Sequence, residues 1–142
     1  MSLSAADKKI VTDSWGQVFK PSFREAGEKV FLKLLKNESI KANFKKFKDI
    51  PYSQLAGSGV VRDHGEKVLQ VLDDFITGLD GSGEEAVKKV ARMHKGEGIP
   101  HDKIELMKPA ILEVLDEAGC GGAKGAWTKL WDRFMAIHRS VY

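Results

Sequence analysis

The stretch VRDHGEKVLQVLDDFITGL, residues 61–79, decides the fold class. Val61, His64, Val68, Leu72, Phe75 and Leu79 recur at steps of three and four, which puts all six on one face of a helix. Alternating β-branched runs, the mark of a half-buried strand, are missing here and along the rest of the chain. Working outward, the same helical period holds in both directions, so the expectation is one all-α domain over residues 1–142.

Towards the N-terminus, Ser4 with Asp7 forms the signature of a capping box. The helix it opens carries a buried stripe of Ile10, Val11, Ser14, Trp15 and Val18, and Pro21 ends it. A second helix runs to about residue 36 with Phe23, Gly27, Val30, Phe31, Leu34 and Leu35 inward. A short turn of helix at 38–43 leads into an irregular stretch with Phe44 and Phe47. Towards the C-terminus, Gly78, Gly81 and Gly83 make a break, and Ser82 with Glu85 reads as a second capping box. The next helix carries Val87, Val90, Ala91 and His94 and stops at Gly96, Gly98 and Pro100. Ile104, Met107, Ile111 and Leu115 line another. Trp127, Leu130, Trp131, Phe134, Ile137 and Val141 line the last. Pro109 falls inside this pattern. It costs about 3 kcal/mol in a regular helix interior, so a kink or a fresh helix start is expected there.

Composition narrows the functional classes. Lys and Arg number 23 against 20 Asp and Glu, a net charge of +3 with no dense basic run, so nucleic acid is not an expected partner. The single Cys120 cannot form an internal disulfide. No signal-like start and no membrane-length apolar run are present, so no membrane is expected and the expected compartment is the cytoplasm.

Two of the four histidines sit on apolar stripes. His64 lies among Val61, Val68 and Leu72, and His94 follows Val87 and Val90. His101 and His138 read as surface residues. Singly, His64 or His94 is equally a core imidazole bonded to a backbone carbonyl. As a pair they say more. A zinc site needs three or four ligands, and no such cluster is present. A flat apolar cofactor with one axial metal position suits two imidazoles among Val and Leu better.

Several motifs, in order, resemble the globin family. Leu3-Ser4-Ala5-Ala6-Asp7 followed by Trp15 resembles its first helix. Phe44-Lys45-Lys46-Phe47 is similar to its Phe-x-x-Phe corner, and His64-Gly65-Glu66-Lys67-Val68 to its distal histidine motif. His94 follows thirty residues later. Ile99-Pro100 with Ile104 and Met107, then Gly125-Ala126-Trp127, Phe134 and Tyr142, complete a likeness over 3–142. Asn37-Glu38 stands where many globins have Pro, and Met93 where mammalian myoglobin-like chains often have Ser.

The resemblance implies a globin fold of seven or eight helices around haem b, iron protoporphyrin IX. It implies His94 as proximal iron ligand and His64 as distal residue. Val68 and Phe31 (or Val30) would bound the ligand space. Phe44, Phe47, Val90, Ile99, Ile104 and Met107 would contact the haem, with Lys46 and Lys67 near its propionates. It implies reversible binding of dioxygen for transport or storage, with carbon monoxide and nitric oxide as further ligands, and no dedicated enzyme activity. The Nδ1–H of His94 is expected on the Val90 carbonyl, with no hydroxyl from Met93 to share it. Three other readings stand beside this: a haem enzyme of peroxidase or nitric oxide dioxygenase type, a six-coordinate sensor, and a haem-free helical module. Arg62 and Asp63 flank His64 but point off its face. An apolar patch on the His64 or His94 helix could pair two copies as a homodimer.

Overall fold

A computed structural model of the chain describes residues 3–79 and 81–142; Met1, Ser2 and Asp80 of the expected 1–142 domain lie outside them. Among the described residues there are eight α-helices and no strand. They are α1 (Ala5–Ser14), α2 (Phe23–Leu34), α3 (Glu38–Lys41), α4 (Gly59–Thr77), α5 (Gly83–Gly96), α6 (His101–Glu105), α7 (Met107–Glu117) and α8 (Lys124–Val141). No described helix is long and apolar enough to cross a membrane.

The first helix begins where the capping box puts it. Ser4 Oγ accepts the Asp7 N–H at 3.0 Å, and Asp7 Oδ2 accepts the Ser4 N–H at 3.1 Å. The second expected box does not form. Ser82 is already helical, at φ −66° and ψ −15°, and its side chain caps nothing. After α1 the chain widens into a π turn over Trp15–Phe19, with the Lys20 N–H bonded to the Trp15 carbonyl at 3.0 Å. One extra residue in the turn moves the inward position along by one. Phe19 is therefore buried and Val18 only half-buried, and Ile10, off the Val11–Ser14 face, is 40% exposed.

Pro109 marks a helix restart. The chain leaves α6 at Glu105, and Pro109 is the third residue of α7. A first-turn N–H has no acceptor within its helix, so the missing donor costs little there. The far end of α7 closes on Gly119, whose φ of +77° suits a residue without a side chain. The Cys120 N–H reaches the Leu115 carbonyl at 2.8 Å and the Gly119 N–H that of Asp116 at 3.1 Å.

A close helix crossing joins α2 to α4. A Cβ on Gly27 would stand 2.5 Å from the Gly65 carbonyl carbon, and one on Gly65 2.6 Å from that of Gly27. Two backbones touch there because neither residue carries a side chain. Trp15, Phe19 and Trp127 fill the space between α1 and α8, with Trp15–Trp127 centroids 5.9 Å apart. Their indoles are satisfied across elements: Trp127 Nε1 donates to Ser14 Oγ at 2.7 Å and Trp15 Nε1 to Asp73 Oδ1 at 2.8 Å.

Candidate functional site

The Gly27–Gly65 crossing sets one wall of the site. Phe31 lies one turn beyond Gly27, and His64 directly precedes Gly65, so the contact brings their rings to 4.9 Å, edge to face at 86°. Phe44 and Phe47, from the stretch after α3, add their rings at 5.5 Å each, at 79° and 81°. Three aromatic rings thus cage one imidazole. Phe47 and Phe31 are buried, and Phe44 is half-buried against the core. Of the two candidates on α2, it is Phe31 whose ring meets His64; Val30 is wholly buried.

The cage keeps His64 uncharged. Desolvation first, then repulsion from Lys46, Lys67 and His94, pushes its pKa down from 6.5 to about 4. Among the described residues neither ring nitrogen of His64 has a protein hydrogen bond, so a neutral N–H donor is left for something other than protein. Val68, one turn along α4, is half-buried against the core. The neighbours Arg62 and Asp63 turn away, as their positions on the helix require. Arg62 Nε donates to Glu28 Oε2 at 2.9 Å, and Asp63 Oδ1 accepts from Arg24 at 2.6 Å. These ion pairs brace α4 against α2.

A second group of side chains comes from α5, α6 and α8. His94, near the end of α5, is half-buried, with its pKa lowered mainly by desolvation. Its Nδ1 stands 3.0 Å from Nε2 of His138. The Nδ1 of His138 stands 2.8 Å from Nδ1 of His101. This corrects two expectations. His138 is 0% exposed and His101 half-buried, so neither is a free surface residue. The partner of His94 Nδ1 is a side chain of α8 and not the Val90 carbonyl. The expected surface position followed from reading His138 as a polar position of the last helix. The signal that could have found it was spacing: His138 is four residues after Phe134 and four before Tyr142, on the broad buried face of α8. Burial and the two flanking histidines lower the His138 pKa to about 4, so it too is neutral.

The remaining predicted residues divide by burial. Met107 is buried, and Val90 and Ile104 are half-buried against the core. Ile99 is half-buried, and its carbonyl accepts the Tyr142 hydroxyl at 2.6 Å. Lys67 is exposed.

The donor set fits an axially ligated planar group. His94 leaves Nε2 without a protein hydrogen bond among the described residues while Nδ1 is held. A neutral imidazole with one anchored nitrogen and one open nitrogen has the form of a metal-ligating histidine. No cluster of three or more His, Cys, Asp or Glu suited to a bare metal ion occurs among the described residues.

A family model described as Globin matches residues 28–137. A globin of Aplysia limacina is 28% identical over 138 residues, covering 92% of each chain, and one of Aplysia kurodai is 25% identical over 99% of each. Globin CTT-IIIA of Chironomus thummi thummi is 30% identical over 100 residues, 67% of this chain and 66% of its own. Among solved structures, ferric myoglobin of Aplysia limacina superposes with a TM-score of 0.84 at 23% identity over 99% of both chains. A double mutant of the same myoglobin gives 0.84 and 23% over 98% of both.

Proposed function

Since this chain belongs to the globin family, we propose that it holds haem b through His94 Nε2 and binds dioxygen reversibly on the His64 side. One observation carries the reading: neither ring nitrogen of the caged His64 is bonded by a described residue, while His94 is held at Nδ1 and open at Nε2. Haem supplies a ferrous iron at which a diatomic gas binds and leaves. The residues do the rest. His94 donates one imidazole lone pair. His64 presents an N–H to the polar gas ligand. Phe31, Val68 and Phe44 exclude water from that side, which protects ferrous iron from oxidation. Lys46 and Lys67, whose charges reach His64, supply cations for the haem propionates.

A carrier is favoured over a peroxidase by the ion pairs around His64. The distal acid–base partner and arginine that peroxide chemistry uses would have to come from Arg62 and Asp63, and both are committed to α2 side chains. The test is a set of visible spectra of the reconstituted protein in its oxidised, deoxy ferrous and carbon monoxide forms. A high-spin deoxy spectrum and its conversion by carbon monoxide are expected, as is loss of the Soret band in His94→Gly. A low-spin deoxy spectrum would mean that His64 itself takes the iron. No Soret band after haem addition would leave a haem-free helical module.

A further inference from the structure

The proximal wall holds three imidazoles in a row, and ligation through His94 uses only one. We infer that His138 is the positioning residue of the His94 ring, accepting its Nδ1–H on Nε2 and passing its own Nδ1–H to His101. This rests on the reading of His94 as iron ligand.

Proton counting gives the direction of the chain. A neutral imidazole carries one N–H. A ring that ligates through Nε2 keeps its proton on Nδ1. That proton faces His138 Nε2 at 3.0 Å, and an accepting nitrogen carries no proton. His138 is therefore protonated on Nδ1. This nitrogen faces His101 Nδ1 at 2.8 Å, which then accepts and leaves the His101 proton on Nε2. Without ligation, the same two contacts are equally satisfied in the reverse sense. Ligation at His94 selects one of the two and sets all three tautomers.

The surroundings suit a fixed orienting group. His138 is wholly buried between the rings of Phe134, at 6.1 Å and 20°, and Tyr142, at 5.1 Å and 26°. The Tyr142 hydroxyl is tied to the Ile99 carbonyl, which holds the end of α8 against the turn before α6. An imidazole nitrogen is a stronger base than a peptide carbonyl. Held by it, the His94 ring becomes more anionic and its Nε2 a stronger donor.

Two experiments on the full chain decide this. In the ferrous carbon monoxide form with ¹⁵N-labelled histidine, NMR is expected to find the proton on Nδ1 of His94, Nδ1 of His138 and Nε2 of His101. A proton on Nε2 of His138 overturns the inference. His138→Leu is expected to lower the ferrous iron–histidine stretching frequency and speed haem loss about ten- to a hundredfold. His138→Gln, which keeps an acceptor, is expected to recover most of both. An unmoved stretch in a His138→Leu protein that retains its Soret band overturns the inference but leaves His94 as ligand. Failure of the unmodified chain to take up haem overturns both. If His138→Leu does not fold, the labelling experiment on the unmodified chain decides alone.

Discussion

His64 owes its neutrality to three aromatic rings and two lysines, and that neutrality is what makes it a hydrogen-bond donor at ordinary pH. A hydrogen bond with charged character contributes about 1.5–3 kcal/mol, and about 1.4 kcal/mol is tenfold in an equilibrium. His64→Leu is therefore expected to raise the oxygen dissociation rate about ten- to a hundredfold, read by stopped flow. Carbon monoxide, less polar when bound, is expected to respond much less; an equal response would deny the donor role. Ser14 matters at the same scale for stability. Among the described residues it is the sole acceptor of the buried Trp127 indole, so Ser14→Ala leaves that N–H unsatisfied. A loss of about 1–3 kcal/mol in urea unfolding is expected.

At the scale of elements, the α2–α4 crossing does the most to build the site, because it sets the Phe31–His64 distance. Gly65→Ala forces its methyl group into the Gly27 backbone. The expected cost is about 1–3 kcal/mol, with a shifted Soret maximum as the helices part. An unchanged melting point would mean that the crossing relaxes freely. Pro109 gives the opposite kind of prediction. As a first-turn residue of α7 it breaks no intrahelical bond, so Pro109→Ala is expected to change stability by less than about 1 kcal/mol, not the ~3 kcal/mol of an interior proline. The π turn at Trp15–Phe19 shows why element faces are harder to read than element positions. The helical period of α1 was plain, but a single widened turn moved burial from Val18 to Phe19.

For the whole molecule, two desolvated neutral imidazoles couple folding to pH. His64 and His138 have folded-state pKa values of about 4, below the ordinary 6.5. Between those values the unfolded chain binds more protons than the folded one. The stability tied to their neutrality is thus fully present above about pH 6.5 and is lost as pH falls towards 4. The urea midpoint of the haem-free protein is expected to drop through that window. In His64→Leu the drop is expected to be shallower, and an equal slope in both proteins would show that His64 is not a contributor.

The helical class, the Ser4–Asp7 cap, the helix breaks and the order of Phe44, Phe47, His64, Val68 and His94 are legible along the chain. These are local matters: a cap needs residues three apart, a face needs steps of three and four, and a family likeness needs order along the chain. Which rings meet depends on packing between helices distant in sequence. Phe31 reaches His64 because two glycines let distant backbones touch. His138 reaches His94 across forty-four residues because α5 and α8 pack together, which no periodicity within either helix can state.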